Sequence, residues 1–259
     1  MLRHLLTARP TDHAHTFVHT VDDRLCVGPE GNTFLFGGAG LGLGISALEQ
    51  AIGKPVIWAN AHYRSFATPG QDLTTTVMPL ASGRSVDQAS ASVMHGDRTI
   101  CTVTATLGGR MDQIEAQWAE VPSVPAPEDC PIADIWPPQA GRLHEHLLIR
   151  MPVGGRKPGQ GRMTVWLASR NETGVNAPLL ALFADLAPAG VAAALGLPRG
   201  GNSLDNTLRM LHRPSTTDWV LCDIFVDGSA HGIAQTHLHL FDRTGRLVAT
   251  GSQSVFLRS

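Results

Sequence analysis

Apolar and polar residues alternate along several stretches of the chain. In "QTHLHLF", Thr236, Leu238 and Leu240 face one way and His237, His239 and Phe241 the other. This period of two predicts strands with one face on a core. Four such stretches follow one another in the first half: "PVIWANAHYRSF", "QDLTTTVMPLAS", "SVDQASASVMHG" and "TICTVTATLG". Four more follow in the second: "SLDNTLRMLH", "DWVLCDIFVD", "AHGIAQTHLHLFD" and "RLVATGSQSVFLR". Turn signals at Pro69-Gly70, Ser82-Gly83, Gly96-Asp97, Asp227-Gly228 and Thr244-Gly245 separate them. Ahead of each set lies a run of another kind, "GGAGLGLGISALEQAIG" and "APLLALFADLAPAGVAAALG". Neither carries a charged stripe, and the second is apolar on nearly every face apart from Asp185, so both predict helices buried all round.

A buried helix followed by four antiparallel strands, twice, predicts an α+β fold with a curved sheet wrapped around each helix. Between Met111 and Ala140 lie six prolines, at 122, 125, 127, 131, 137 and 138. Proline removes backbone donors and turns the preceding residue away from helix. The expected organisation is therefore a first repeat over 1–110, a proline-rich linker over 111–140 and a second repeat over 141–259.

Glycines at 37, 38, 40, 42 and 44 raise the question of a phosphate-binding loop. A Walker loop needs Lys-Ser or Lys-Thr after its last glycine, and here Pro55 follows Gly53-Lys54. A dinucleotide loop needs an acid about 20 residues on, and "VIWANAHYRSF" has none. The glycines instead predict a helix that sits tightly inside its sheet and leaves space for a ligand.

Composition narrows the classes. The chain has 259 residues, 43% hydrophobic and 16% charged, which suits a globular protein with a large core. A formal net charge of -2 gives no basis for binding nucleic acid or a membrane surface. Cys26, Cys101, Cys130 and Cys222 form no C-x-x-C pair, which argues against zinc and suits the cytoplasm. "MLRHLLTARP" lacks the apolar core of a signal peptide, and no run is expected to span a bilayer.

Asp185 is the only charged residue between Glu172 and Arg199. Buried in an apolar helix it is costly unless partnered. Two readings fit: a carboxylate with a shifted pKa, or a cap at a break before Pro188. His237 with His239, and His144 with His146, are spaced to share a strand face, but a metal site needs more ligands. Asp205 follows Ser203 by two residues, so both point to one sheet face, to tune a site or to satisfy a strand end. Arg64, Arg110 and Arg213 could meet phosphates. No G-x-S-x-G elbow is present, so a serine hydrolase is disfavoured.

Several segments together resemble the acyl-CoA thioesterase II family, the double-hotdog thioesterases. They are "FLFGGAGLGLGISAL", "AHYRSFATPGQ", "VPSVPAPED", "LLALFADL", "SLDNTLRMLHRPSTTDWVL" and "DRTGRLVATGSQSVFLR". The resemblance implies a double hotdog that hydrolyses acyl-CoA to fatty acid and coenzyme A. It implies no metal, no cofactor beyond the coenzyme A of the substrate, and no acyl-enzyme. It also implies a catalytic set of Asp185 in "FADL", Ser203 in "SLD" and Gln253 in "GSQSV", which would hold one water. Gly37 and Gly38, at the start of the first helix, are candidate oxyanion donors. Association into a homodimer is expected, because hotdog sheets leave edges to cover.

The internal repeat shows an asymmetry. Aligning "RTICTVTAT" with "RLVATGSQS" sets Ala105 opposite Gln253, and the position matching Ser203 falls near Ile57. The first helix has no acid before Glu49. A catalytic second half beside a structural first half would produce this. The chain departs from the family in three places: His212-Arg213-Pro214 comes one residue late, Asn206 stands where histidine is frequent, and the loop between Asp185 and Ser203 is short. Two other functions remain open at this point, an inactive acyl-CoA-binding protein and an enoyl-CoA hydratase. The second would need an aspartate–histidine loop that is not found.

Overall fold

The computed structural model describes residues 1–110, 114–135, 139–198, 200–212 and 217–258. Pro137, Pro138, Arg213 and Pro214 lie outside them.

Ten longer strands organise the chain: β1 (Thr16–Thr20), β2 (Val56–Tyr63), β3 (Asp72–Ser82), β4 (Val86–His95), β5 (Arg98–Gly108), β6 (Arg162–Ser169), β7 (Asp205–Met210), β8 (Val220–Ala230), β9 (Ile233–Asp242) and β10 (Leu247–Phe256). Among the described residues they belong to one 13-stranded sheet. Its order is β1-β3-β4-β5-β2 in the first half, then β7-β10-β9-β8-β6 in the second. Matching strands sit equally far from the β2–β7 seam, so a pseudo-two-fold axis relates the halves. At the seam Asn60 pairs with Thr207, and Asn60 Nδ2 donates to Thr207 Oγ1 at 2.6 Å.

Alternation drives the strands as expected. In β3, Leu73, Thr75 and Val77 face in, and in β4 Asp87, Ala89, Ala91 and Val93 do. The sequence pattern missed β1 and β6. Strand β6 is buried at every position after Arg162, so it shows no period of two. Its outer face packs Trp166 and Ala168 with Trp219, Leu221, Phe241 and Leu247, and Ala119 and Val124 of the proline-rich segment cover them. The proline-rich segment is thus pinned to the sheet: Trp166 Nε1 donates to the Pro125 carbonyl at 3.1 Å, and Gln117 Oε1 accepts from the Leu247 N–H at 2.7 Å.

The first helix, α1, covers Gly37–Ile52 and closes on Gly53 in the left-handed region (φ 69°). The second is not continuous; it has the break before Pro188 that one of the two readings of Asp185 expects. It runs as α2 (Ala177–Ala184), breaks at Asp185 and Leu186, and resumes as α3 (Ala187–Leu195). Pro188 cannot give an N–H to the preceding turn, and its ring would meet the Ala184 carbonyl. One expectation changes. Ala177–Leu195 is long and apolar enough to cross a membrane by length and composition, but 83% of its apolar window is buried inside the fold.

The glycines of α1 serve contact between helices as much as contact with the sheet. A methyl at Gly38 would lie 2.7 Å from the Ala181 carbonyl oxygen, and one at Gly42 would lie 2.7 Å from that of Pro178. These two positions, one turn apart, bring the backbones of α1 and α2 together, running antiparallel. Gly44 instead faces Val103 of the sheet, where a methyl would lie 2.6 Å from Cγ2. One apolar core runs through both halves, from Leu41 and Leu48 to Leu180 and Phe183.

Candidate active site

The break in the second helix presents Asp185. Asn176 caps α2, its side chain accepting from the Leu179 N–H at 3.1 Å, and Pro178 stiffens the first turn. At the other end, Asp185 (φ -79°, ψ 18°) turns the chain towards the start of α1. That helix start concentrates unpaired N–H groups and favours negative charge.

Ser203 arrives on a short strand segment, Asn202–Ser203, paired with β10 through Val255. Gly201 before it is in the left-handed region (φ 126°), and any side chain there would strike the Phe256 carbonyl. Gln253 lies on β10, with its carbonyl accepting from Thr236 Oγ1 at 3.1 Å. Backbone pairing thus fixes the spacing of Ser203 and Gln253 before either reaches Asp185.

The three side chains meet. Asp185 Oδ1 accepts from Ser203 Oγ at 2.8 Å and from Gln253 Nε2 at 2.6 Å. Its Oδ2 accepts from the Gly38 N–H at 2.6 Å. Asp185 is only 2% exposed. Burial pushes its carboxyl up to about 6, against the opposing effect of the Ser203, Gln253 and Gly38 hydrogen bonds. Such a group both accepts and returns a proton near neutral pH.

Gly38 does not have the role expected of it, because Asp185 already takes its N–H. Gly37, the first helical residue, has an N–H with no intrahelical partner to bond. Asp205 does not join the trio. Its Oδ1 accepts from the Ser254 N–H at 2.8 Å, which secures the strand where Leu204 interrupts it.

Among the described residues, four buried polar atoms nearby have no hydrogen-bond partner in ordinary geometry: Tyr63 Oη, Asn206 Nδ2 and Oδ1, and Gln253 Oε1. Unpaired groups of this kind cost roughly 1–3 kcal/mol each, and clusters of them mark where water or a ligand binds. Burial, followed by the charge of Asp185, keeps the Tyr63 hydroxyl protonated well above the usual phenol range. Sequence reasoning missed Tyr63 and met Asn206 only as a departure from the family. Tyr63 is the only tyrosine in the chain and ends an alternating strand, but nothing local marks it as polar machinery. With Tyr63 and Gly38, the first half supplies part of this site.

The other candidates lie elsewhere. His237 stacks on Phe225 with centroids 4.7 Å apart and pairs with Asp227, while His239 packs edge-on to Phe241. His144 and His146 lie on a helical turn, Leu143–His146, rather than a strand, so they do not share a face. Arg110 reaches Ser85, Arg64 is exposed, and Arg213 lies outside the described residues. Among the described residues, no three histidine, cysteine or acidic side chains gather to hold a metal.

Residues 28–108 match the family model for the acyl-CoA thioesterase N-terminal domain, and residues 117–257 match the model for its C-terminal domain. A crystal structure from Novosphingobium aromaticivorans, provisionally assigned as a thioesterase, is 35% identical. It superposes with a TM-score of 0.90 over 96% of this chain and 98% of its own. A hot dog protein of unknown function from Alicyclobacillus acidocaldarius is 17% identical, with a TM-score of 0.85 over 100% and 98%. The acyl-CoA thioesterase II TesB2 of Mycobacterium marinum is 18% identical, with a TM-score of 0.79 over 100% and 98%. These superpositions give the fold as a double hotdog. No curated protein sequence matches the chain.

Proposed function

The chain belongs to the acyl-CoA thioesterase family, and from that premise we propose that it hydrolyses acyl-CoA to a free acid and coenzyme A with a water held at Asp185. One observation carries this reading. A single carboxylate, buried among apolar residues and raised to about 6, is held by Ser203, Gln253 and the Gly38 N–H.

The chemistry follows from donors and acceptors. An attacking water needs two acceptors for its protons, so that a lone pair points at the thioester carbon. Asp185 is one, and Gln253 Oε1 is the other, because Gln253 turns its Nε2 to the carboxylate and leaves its oxygen unpaired. Ser203 holds Oδ1 in place. Asp185 takes a proton as the water oxygen bonds to the carbonyl carbon. The tetrahedral intermediate then collapses, the C–S bond breaks, and the proton on Asp185 passes to the departing sulfur. General base catalysis of this kind is worth about 10²–10⁴ in rate, and holding the water beside the carbon adds to it.

The test is release of free thiol from short, medium and long acyl-CoAs by wild type and Asp185→Asn. The reading expects wild type to release thiol and the variant to lose at least about 100-fold. A wild type that binds acyl-CoA and releases none would make this an acyl-CoA-binding protein instead.

A further inference from the structure

The four unpaired polar atoms beside Asp185 divide by chemistry. Gln253 Oε1 only accepts, and the water reading uses it. Tyr63 Oη and Asn206 Nδ2 donate, and nothing in that reading uses them. A thioester carbonyl only accepts, and its oxygen gains charge as water adds.

The placement fits. Tyr63 ends β2 in the first half, and its ring lies along the start of α1. A methyl at Gly37 would be 2.8 Å from Asp185 Oδ2, 3.2 Å from Tyr63 Cζ and 3.3 Å from Tyr63 Oη. The carboxylate and the phenol hydroxyl therefore both close on Gly37, which fits between them only because it has no side chain. Asn206 lies on β7, paired with Ala61 across the seam, and is fully buried. Its side chain neighbours the Tyr63 hydroxyl, with no hydrogen bond of ordinary geometry between them. Catalytic hydrogen bonds of this sort commonly tighten only when substrate is bound.

We propose that Tyr63 is a further catalytic residue, whose hydroxyl donates to the thioester carbonyl oxygen, and that Asn206 is its positioning residue. Asn206 Nδ2 donates to Tyr63 Oη, which frees the phenol proton for the substrate. The water and the carbonyl are then held by separate groups: acceptors from the second half for the water, and a donor from the first half for the oxyanion. This rests on the hydrolytic reading above and adds the group that stabilises its intermediate.

Tyr63→Phe removes one oxygen and keeps the ring. Loss of a single oxyanion donor costs about 100-fold in kcat, with KM little changed. The unliganded protein should melt at the same temperature or higher, because an unpaired buried hydroxyl is gone. Asn206→Leu should also lower kcat, and the double variant should be no worse than Tyr63→Phe alone, since Asn206 acts through Tyr63. A second measurement does not need turnover. The infrared carbonyl stretch of a ¹³C-labelled acyl-CoA bound to Asp185→Asn should rise towards its free value when Tyr63→Phe is added. Three results would overturn the proposal: kcat within twofold of wild type, kcat lost together with a lower melting temperature, or an unmoved carbonyl stretch. An inert wild type whose bound carbonyl still responds to Tyr63→Phe would defeat the hydrolytic reading and leave the carbonyl contact standing.

Discussion

The backbone N–H of Gly38 donates to Oδ2 of Asp185 at 2.6 Å, across 147 positions of sequence. That bond ties the start of one central helix to the break in the other, so packing and chemistry meet at one glycine. Gly38→Ala would set a methyl 2.7 Å from both the Ala181 oxygen and Asp185 Cβ. Overpacking of this kind destabilises by about 1–3 kcal/mol, and shifting Asp185 should lower kcat at least tenfold. Gly40→Ala is the control. Its methyl would come no closer than 3.7 Å, to Cys101 Sγ, so the gain in helix propensity of about 0.5–1 kcal/mol should be realised. Denaturant unfolding of both variants checks the contrast.

The raised carboxyl of Asp185 sets a pH dependence. A base must be ionised, so kcat/KM should rise with pH through about 6 and level off above it. For stability the sign is reversed. The folded value, about 6, lies above the ordinary 3.8, so the folded state binds the proton more tightly. The favourable contribution is complete below about 4 and is lost as pH rises through about 6. Asp185→Asn does not titrate there. Wild type should therefore gain up to about 3 kcal/mol relative to the variant between pH 8 and pH 4. Paired unfolding curves at the two pH values measure it.

Ser203 and Gln253 should differ in kind. Ser203→Ala removes one donor and should cost about 10–100-fold in kcat, while Ser203→Thr keeps the hydroxyl and should keep most activity. Gln253→Glu replaces a donor by a second acid beside Asp185. Like charges so close cannot both ionise readily, so the acid limb of the rate profile should move above 6. Steady-state rates against pH distinguish the two.

Away from the site, Asp223 is 1% exposed and is held by a two-point bond from Arg162 and by Thr164 Oγ1. Arg162 is half-exposed, so water softens the loss when it is removed. Arg162→Leu should destabilise by about 1–3 kcal/mol and leave kcat unchanged.

Much of this fold was legible in the chain, and the reasons are local. Strands β3, β4 and β9 rest one face on the core, so alternation marks them. Strand β6 is covered on both faces, by the core and by the proline-rich segment, so nothing alternates. The break at Asp185 was hidden because the residues on both sides are apolar, and only Pro188 signalled it. Asp185 stood out as a lone charge, yet Ser203 and Gln253 lie 18 and 68 positions away. Only the family resemblance linked them to it. Tyr63 escaped because its partners come from the other half, across a seam that no local pattern reveals.

One measurement bears most directly on the water at Asp185: a single turnover of acyl-CoA in ¹⁸O-labelled water, with enzyme in excess. Direct attack by water predicts one ¹⁸O in the free acid from the first turnover and none in the protein. An unlabelled acid with ¹⁸O in the Asp185 carboxyl would mean that Asp185 itself attacks the thioester, and would contradict the account.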